Sequence, residues 1–371
     1  MRILYWVDAF PPMIGGVEVL SGQFVRALQK RGHEIVVFSS RGRPDLPDRM
    51  NFFGIPVHRF SFGKALVKRD LSLIKAIRSR ANELQANFQP DLVHLNFSAP
   101  SAFFHMFAQR ATEAPCLETI HSFLEPASGQ DSLHARILGS VDWVVGVSDA
   151  MLRDARRLIP QITPRSSVIY NALEMPDLKP TPLSFDAPRI LFAGRLVQEK
   201  GVDVAIDAFA AIASRFPNAH LTIAGDGSIK ESLEQRAIDL GIGSRVDFVG
   251  WVDPEKMPAL INSSTIVVMP SRWEEPFGLV ALQAGQMARP IIATRVGGLP
   301  EVVLHEQTGL LIEKDDTAGL AKALALLLDH PEIEARMGAA GRVRVQANFT
   351  MDRLIDEYES LYRKLLTRVI K

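Results

Sequence analysis

The sequence predicts an α/β protein with two doubly wound domains, each a parallel sheet with helices on both faces. Short apolar runs rich in β-branched residues alternate with segments of helical period along the chain. The strand-like runs are apolar throughout instead of alternating with polar residues, as is typical of parallel strands buried on both faces. The stretch Met175–Pro188 contains four prolines and no periodic pattern, so we interpret it as a linker between the domains.

The first predicted domain covers residues 1–175. Its first apolar run is followed by a segment with apolar residues at helical spacing, and Gly32 then marks a helix end. A further helix is predicted over Ser101–Ala111. Six apolar runs predict the strands of this domain: Ile3–Val7, His33–Ser39, Asp91–Leu95, Cys116–His121, Trp143–Val147 and Val168–Tyr170.

The second predicted domain covers residues 189–350. Its predicted strands are Arg189–Ala193, His220–Ala224, Arg245–Val249, Thr265–Met269, Pro290–Thr294 and Gly309–Ile312. Its predicted helices are Val202–Arg215, Ile229–Leu240, Pro254–Ile261 and Gly278–Ala288. Residues 351–371 predict one amphipathic helix with Leu354, Tyr358, Leu361 and Leu365 on one face. This helix has no strand of its own to cover, so it could pack back on the N-terminal domain.

The composition excludes several classes of protein. Among 371 residues, Lys+Arg and Asp+Glu both number 42, and a net charge of zero argues against nucleic acid as the main partner. One cysteine, Cys116, cannot form an internal disulfide and is too few for a structural zinc site. No apolar stretch reaches the roughly 18 residues of a spanning helix, and the apolar start is too short for a signal peptide. We therefore expect a cytoplasmic protein, which could still lie against the inner face of a membrane.

Ligands of open α/β sheets bind at the carboxyl ends of the strands, so residues that follow strands are the candidates for a site. Gly15-Gly16 follows the first strand and Gly225 follows another, and glycines bring backbone amides close to a ligand. Neither pattern fits the G-x-G-x-x-G fingerprint of a dinucleotide site, and both are also common in purely structural turns. His121 ends a strand and could orient a hydroxyl or stabilise charge in either protonation state.

Two cations follow the first strand of the second domain. Arg195 and Lys200 stand between Gly194 and Gly201, and a guanidinium fork with an ammonium group suits a diphosphate. The alternative is a solvated charged loop in which Lys200 pairs with Glu199.

The segment Pro270–Ala284 is the most informative. A strand leads into an acidic loop, and Gly278 then begins a helix. The free amides and the positive end of the helix dipole would therefore face the ligand site at the carboxyl ends of the strands. Glu275 can accept hydrogen bonds from sugar hydroxyls. Alternatively, Glu274 and Glu275 are ordinary charges of a helix N-terminus.

Taken in order along the chain, these elements resemble the family 4 glycosyltransferases, which are retaining enzymes of the GT-B fold, over essentially the whole length. The matching motifs are Gly15-Gly16-Val17-Glu18, His121, Val145-Gly146-Val147-Ser148, Ile169-Tyr170-Asn171, Gly194-Arg195…Glu199-Lys200-Gly201, Ala224-Gly225-Asp226-Gly227 and Pro270-Ser271…Glu275-Pro276-Phe277-Gly278-Leu279-Val280. The resemblance implies two Rossmann-like domains that face a central cleft. The first would bind the acceptor and the second the nucleotide sugar.

The resemblance also implies roles for single residues. Arg195 and Lys200 would bind the diphosphate and stabilise it as it leaves, as a divalent metal does elsewhere. The chain has no Asp-x-Asp triplet, which agrees with transfer that needs no metal or other cofactor. Glu275 would hold the hydroxyls of the donor sugar, and His121 would contact the sugar near the reacting carbon. The other implied contacts with the nucleotide sugar are Gly15, Gly16, Gly194, Gly225, Trp251, Val252, Phe277, Gly278, Leu279 and Gln283.

One position departs from the family pattern. The family has two glutamates seven residues apart, and here the first is Glu275 while the second position is Gln283. A carboxylate can accept hydrogen bonds from both ribose hydroxyls, whereas an amide accepts one and donates to the other. The loss of charge would weaken this contact by about 1 kcal/mol.

The sequence indicates the class of acceptor less clearly than that of the donor. Residues 59–80 contain one acid, Asp70, against seven cations: Arg59, Lys64, Lys68, Arg69, Lys75, Arg78 and Arg80. This segment could dock on an anionic membrane surface or bind a phosphorylated or lipid-linked acceptor. A glycan or small-molecule acceptor fits the family equally, and a solvated basic helix is the alternative for the segment.

Three readings remain open. The first is a glycosyltransferase that uses a nucleoside diphosphate sugar. The second is a related enzyme of the same fold, such as a phosphorylase that uses inorganic phosphate, or an epimerase. The third is a non-catalytic descendant that binds a nucleotide sugar or a partner, for which Gln283 is the one sign. A dehydrogenase is poorly supported because neither domain has the dinucleotide fingerprint.

Overall fold

The computed structural model describes residues 1–13, 15–96, 100–108, 113–124 and 132–369. The chain forms two compact units, Met1–Ala172 with Met351–Lys371, and Leu173–Thr350. The end of the predicted helix Ser101–Ala111, from residue 109 on, lies outside the described residues.

The first unit is built on an eight-stranded sheet in the order β3-β4-β2-β1-β5-β6-β7-β8. All neighbouring strands are parallel except β3 and β4. The strands β1–β8 are Arg2–Val7, Glu34–Ser40, Arg49–Phe52, Ile55–Phe60, Leu92–Asn96, Cys116–Ile120, Trp143–Gly146 and Ser166–Val168. The helices α1–α6 are Gly16–Lys30, Phe62–Val67, Leu71–Phe88, Ser101–Ala108, Leu133–Ser140 and Asp149–Leu158.

The antiparallel hairpin β3–β4 is a feature that the sequence analysis did not predict. Phe53 and Gly54 join the two strands with φ values of 52° and 91°, and two central residues of positive φ are what a type I′ hairpin turn requires. The Asn51 side chain accepts a hydrogen bond from the Gly54 amide at 2.6 Å. The pattern of β3 is short and half polar, so periodicity does not reveal it.

The hairpin corrects the interpretation of residues 59–80 as one basic helix. Arg59 lies in β4, is 2% exposed and donates to the Pro11 carbonyl at 2.7 Å, and its burial lowers its pKa. The remaining cations are exposed: Lys64 lies on α2, Lys68 and Arg69 lie in the turn after it, and Lys75, Arg78 and Arg80 lie on α3. The exposed basic surface therefore has six cations instead of seven.

The second unit is built on a six-stranded parallel sheet in the order β11-β10-β9-β12-β13-β14. The strands β9–β14 are Arg189–Ala193, His220–Ala224, Val246–Gly250, Ile266–Met269, Ile291–Thr294 and Gly309–Ile312. The helices α7–α13 are Val202–Ile212, Lys230–Asp239, Met257–Asn262, Leu279–Gln286, Leu299–Val302, Thr317–Asp329 and Pro331–Asn348. Each predicted element is present with its ends shifted by up to three residues, while α11–α13 were not predicted.

The last helix, α14 (Met351–Val369), belongs to the first unit. The side chains of its predicted apolar face, Leu354, Tyr358, Leu361 and Leu365, are at most 7% exposed and belong to the core of that unit. Polar contacts hold the helix to the segment between α1 and β2: Arg31 forms ion pairs with Asp352 and Asp356, and His33 Nε2 lies 2.9 Å from Glu359 Oε1. Within the described ranges, no helix is long and apolar enough to cross a membrane.

A buried polar chain connects α14 to the sheet. His94 contacts the Tyr362 hydroxyl at 2.8 Å through Nδ1 and Thr119 Oγ1 at 2.9 Å through Nε2. Thr119 Oγ1 also lies 2.8 Å from the Tyr358 hydroxyl. Burial lowers the pKa of His94 to about 3, because the charged imidazolium would be desolvated. His94 is therefore neutral at pH 7 and serves the packing of α14.

The proline-rich stretch after Ala172 is bonded into the second unit. Gln286 Nε2 donates to the Leu173 carbonyl at 3.3 Å, and Thr265 Oγ1 donates to the Ser184 carbonyl at 3.0 Å. Thr181 donates its amide to Asn262 Oδ1 at 3.0 Å. The stretch is thus an ordered part of that unit, which explains why the boundary falls at Ala172 instead of at Met175.

The buried neutral state of His94 predicts a pH-dependent stability. Its pKa in the fold lies below the value of 6.5 that it has when exposed, so the unfolded chain takes up the proton first as the pH falls. Between pH 7 and pH 5, we expect wild type to lose about 1–2 kcal/mol more unfolding free energy than His94→Gln.

Urea unfolding at both pH values measures this difference. His220→Gln, a change at a more exposed histidine of the second unit, is the control and should keep the wild-type pH slope. Equal slopes in wild type and His94→Gln would contradict the assignment of a neutral buried His94.

Candidate functional site

The strand order of the second unit creates a switch point between β9 and β12. The chain runs outward from β9 to β10 and β11 on one side and from β12 to β13 and β14 on the other. Ile190 pairs with Ile266 and Phe192 with Val268, so the two strands end side by side. Ligands of open α/β sheets bind at such a point, and both of the charged loops singled out in the sequence leave the sheet there.

Lys200 and Glu275 meet at this point. The Lys200 ammonium lies 2.5 Å from Glu275 Oε1, although the residues are 75 positions apart in the chain. The Lys200 side chain is 21% exposed and the Glu275 side chain 8%. The structure therefore brings together two of the predicted catalytic residues, and a partly buried pair of this kind is screened little by water.

Ser271 is a site residue that sequence reasoning missed. Its hydroxyl lies 2.8 Å from Glu275 Oε1 and 3.2 Å from the Glu199 carbonyl. Glu275 Oε1 is thus shared by a hydroxyl and an ammonium, while Oε2 has no partner in the described part of the chain and can accept from a ligand hydroxyl. A hydroxyl residue two positions after the end of a buried strand was the available signal.

Arg195 is the second predicted cation. It lies two positions after the end of β9 and is exposed. Among the described residues it has no carboxylate partner. Its five N–H donors are therefore available to an anion that approaches this edge of the sheet.

The start of α10 supplies free amides beside Glu275. Gly278 precedes the helix with φ +104°, and a Cβ there would lie 2.5 Å from Leu299 Cδ2. The amides of Gly278 and Leu279 have no acceptor among the residues that the structure describes. Phe277 is 2% exposed and packs edge-on against Phe349. This helix end can receive a negative or partly negative group.

The backbone amides of Gly194 and Gly225 are not free, although the sequence predicted that these glycines contact the nucleotide sugar. The Gly194 amide donates to the Ala224 carbonyl at 2.9 Å, and the Gly225 amide donates to the Gly250 carbonyl at 2.7 Å. Gly225 has φ +143°, and a Cβ on it would lie 1.8 Å from the Gly194 carbonyl oxygen. These glycines allow close approach of the loops after β9 and β10, and their own amides are already bonded.

Gly297 and Gly298 form a second missed feature. The Gly297 amide donates to Glu274 Oε2 at 2.7 Å, and the Gly298 amide donates to the Glu275 carbonyl at 2.7 Å. Glu274 therefore fastens the loop after β13 to the loop after β12. The Gly-Gly pair after a strand is the same signal that singled out Gly15-Gly16.

In the first unit, His121 follows β6 directly and is 7% exposed. Asn96 donates its Nδ2 to Ser21 Oγ at 3.1 Å, so its Oδ1 accepts from His121 Nε2 at 2.8 Å. This arrangement places the proton on Nε2 and leaves Nδ1 as an acceptor. Burial lowers the pKa of His121 to about 4, so of the two protonation states that the sequence left open, the neutral one is present at pH 7.

The other residues predicted to contact the nucleotide sugar lie at the start of α1, after β11 and on α10. Gly15 precedes α1 and Gly16 is its first residue, while Ile14 lies outside the described residues. Trp251 and Val252 follow β11, and Trp251 is 53% exposed. Gln283 is half-buried on α10. In the described ranges, no three His, Cys, Asp or Glu side chains are grouped so that they could hold a metal ion.

Two family models match consecutive parts of the chain. The model described as Glycosyltransferase Family 4 matches residues 14–175, and the model described as Glycosyl transferases group 1 matches residues 177–344. The chain belongs to family 4 of the glycosyltransferases. The resemblance seen in the ordered sequence motifs is thereby confirmed.

Similar proteins support the same family and fold. Glycogen synthase of Mycobacterium tuberculosis is 29% identical over 94% of this chain and 91% of its own length. The structure of sucrose-phosphate synthase from Thermosynechococcus elongatus matches with a TM-score of 0.85 at 24% identity over 99% of both chains. Anabaena HepE in complex with UDP and glucose matches with a TM-score of 0.78 at 20% identity over 97% of this chain and 99% of its own. This glycosyltransferase has the GT-B fold, as the sequence predicted.

The close approach of the two site loops predicts a strong effect of Gly201→Ala. Gly201 has φ +65°, and a Cβ on it would lie 1.9 Å from the Pro270 carbonyl oxygen. We expect the unfolding free energy to fall by about 2–4 kcal/mol, because the left-handed strain and a backbone clash add together.

Gly241→Ala is the matched control. Gly241 has φ +70° but no atom within 4 Å of its Cβ position, so this change should cost only the left-handed strain of about 1–2 kcal/mol. Denaturant unfolding of both variants measures the difference. Losses of the same size would mean that the loops after β9 and β12 do not touch.

Proposed function

We propose that this glycosyltransferase moves a sugar from a nucleoside diphosphate sugar to a hydroxyl acceptor with retention of anomeric configuration and without a metal. The observation that carries the proposal is the Lys200–Glu275 pair of 2.5 Å, with Arg195 exposed on the same loop as Lys200, at the switch point of the sheet. The second unit would bind the donor and the first the acceptor. HepE, which was solved with UDP and glucose, supports a nucleoside diphosphate as the leaving group.

The first requirement of this reaction is stabilisation of the negative charge on the leaving diphosphate. When the bond from the anomeric carbon to the phosphate oxygen breaks, its electron pair stays on the diphosphate. The Lys200 ammonium has three N–H donors, so it can keep its bond to Glu275 and still donate to a phosphate oxygen. Arg195 would add a guanidinium fork, so that two cations would stabilise the developing charge.

The sugar would be held by Glu275 and the start of α10. Glu275 Oε2 would accept from a sugar hydroxyl, and the amides of Gly278 and Leu279 would donate to the sugar or the phosphate. His121 is neutral, and its Nδ1, which has no partner among the described residues, would accept from a further hydroxyl. The acceptor hydroxyl would attack on the face from which the phosphate departs, its proton would go to a phosphate oxygen, and the configuration would be retained.

Gln283 would bind the ribose of the nucleotide in this scheme. Its amide can accept from one ribose hydroxyl and donate to the oxygen of the other. Trp251 and Val252, which follow β11, would contact the base. The competing phosphorylase would bind inorganic phosphate at the same cations and would ignore nucleotides, while a non-catalytic protein would bind a nucleotide sugar without cleaving it.

The donor proposal predicts the effect of removing either cation. Lys200→Ala and Arg195→Ala should each lower sugar transfer or donor hydrolysis at least about 100-fold, because each removes a charge-assisted contact to the leaving group. The assay is a panel of UDP, GDP and ADP sugars, followed by release of the nucleoside diphosphate.

Arg215→Ala is the control, because Arg215 is a surface arginine of the same unit, paired with Asp329, and takes no part in the site. It should keep wild-type activity. Near-normal activity of the Lys200 variant would contradict the proposal. Thermal stabilisation by inorganic phosphate but by none of the nucleoside diphosphates would favour a phosphorylase.

We also propose that the turn between α2 and α3 contacts an anionic membrane. Val67 ends α2 and Leu71 begins α3, and their side chains are 85% and 78% exposed, the two highest values among the large apolar side chains of the described residues. The cations that surround them are exposed too: Lys64, Lys68, Arg69, Lys75, Arg78 and Arg80. Apolar side chains that enter the acyl boundary beside cations that attract anionic headgroups are typical of peripheral membrane binding.

The membrane proposal is tested with vesicles. Wild type should co-sediment with phosphatidylglycerol-containing vesicles at low salt, bind less as salt rises, and ignore pure phosphatidylcholine. Val67→Ser/Leu71→Ser should weaken binding at least about tenfold, because each side chain contributes on the order of 1 kcal/mol on partial insertion. Ile238→Ser/Leu240→Ser changes two aliphatic residues that are 62% and 44% exposed in the other unit, and should bind as wild type does. Absence of binding to anionic vesicles at low salt would end the proposal.

A further inference from the structure

Arg272 follows Ser271 in the loop after β12 and makes several polar contacts that the proposed reaction does not use. Its Nη1 and Nη2 donate to the two carboxylate oxygens of Asp203, both at 2.8 Å. Its Nε pairs with the Asp315 carboxylate, and Nη1 also donates to the Gln198 carbonyl at 2.9 Å. The side chains of Arg272 and Asp203 are each 22% exposed. One guanidinium thus connects the loop after β12 with the turn before α7, the first turn of α7 and the turn before α12.

The backbone around Arg272 holds the same turn. The amides of Arg272 and Trp273 both donate to the Glu199 carbonyl, at 2.7 and 3.0 Å. The Ser271 hydroxyl lies 3.2 Å from the same oxygen. Two backbone amides of one loop therefore donate to the carbonyl of the residue directly before Lys200, and the Ser271 hydroxyl lies beside them.

Lys200 is fixed from both sides by these contacts. Glu199 is bonded to the loop after β12, and Gly201 lies so close to the Pro270 carbonyl that a Cβ would be 1.9 Å away. The Lys200 ammonium in turn lies 2.5 Å from Glu275. Because both neighbours of Lys200 are held by the loop that carries Glu275, the position of the ammonium depends on that loop.

We propose that Arg272 is a positioning residue, which holds the turn Gln198–Lys200 so that the Lys200 ammonium can bind the donor phosphate that carries the sugar. This inference rests on the proposed function of Lys200. Arg272 has its guanidinium occupied by Asp203, Asp315 and a carbonyl, so it acts through Lys200 instead of binding phosphate itself. Its planar fork matches the Asp203 carboxylate, and a lysine in its place could not make both bonds.

The chain offers a matched control in Arg236 of α8, whose aspartate partner lies on the same helix as Asp203. Arg236 makes the same two-bond pair with Asp207 of α7, with both distances 2.6 Å, and does not contact the turn Gln198–Lys200. Arg236→Leu therefore removes an arginine–aspartate pair from α7, although a more exposed one at 46% and 24%, and we expect it to leave the site loops unchanged. Arg272→Leu and Arg272→Lys are the test variants, and the lysine variant keeps the charge should the leucine variant fold poorly.

Hydrogen exchange tests the positioning without any ligand. In Arg272→Leu and Arg272→Lys, we expect faster exchange in the peptides that contain residues 198–201 and 271–275, because the donors to the Glu199 carbonyl lose their fixed geometry. Arg236→Leu should leave both peptides at the wild-type rate. Unchanged exchange in both Arg272 variants would overturn the inference.

Nucleotide binding tests the link to Lys200. UDP, GDP and ADP, each with its monophosphate, are titrated by calorimetry. Arg272→Lys should lower the affinity for the diphosphate that wild type binds by about tenfold, since the loss of one charge-assisted contact is expected. The affinity for the monophosphate should fall much less. In a Lys200→Ala background the Arg272 change should have no further effect, because the group that it positions is gone.

The outcomes separate this inference from the proposed function. If wild type binds none of the three diphosphates, the proposed donor class is wrong, and the exchange experiment still decides whether Arg272 holds the turn. If wild type binds a diphosphate and the Arg272 and Lys200 changes weaken it independently, Arg272 does not act through Lys200 and the inference fails.

Discussion

The parallel pairing of β9 with β12 is the constraint on which the site depends. The two strands are adjacent in the sheet but far apart in the chain, and their helices lead away in opposite directions, so their loops meet over the same edge. Lys200 enters from one loop and Glu275 from the other, and their charges meet at 2.5 Å. A register shift of one residue between these strands would displace one loop against the other by about 3.3 Å along the strand direction and so separate the pair.

Around that pair, most of the polar groups serve geometry. The Glu199 carbonyl collects donors from the facing loop, Arg272 joins three segments, and Glu274 bonds the Gly297 amide. Among the described residues at the switch point, the groups without a partner include Glu275 Oε2, the Arg195 guanidinium and the amides at the start of α10. A rigid set of donors and acceptors around a small number of open ones is what a site needs when charge develops during a reaction, because the polar groups need not reorganise.

The first unit uses burial in a similar way. His94 and His121 are both kept neutral by desolvation, yet they serve different ends. His94 has both nitrogens bonded to hydroxyls beneath α14, whereas His121 has one nitrogen bonded to Asn96 and the other without a partner in the described part of the chain. The sequence places each in or just after a strand and cannot tell them apart, since the number of polar neighbours around a buried imidazole is decided by residues far away in the chain.

The sequence by itself determined the class of fold, the family and the loops that carry the site, because apolar strand periods, Gly-rich turns and charged residues after strands are local signals. It did not predict the β3–β4 hairpin, the buried place of Arg59, or the roles of Ser271 and Arg272. These depend on which distant segments meet. A serine or an arginine after a strand has the same local pattern whether it faces water or a partner from another loop, and only the packing of the sheet decided that Ser271 would meet Glu275 and that Arg272 would meet Asp203.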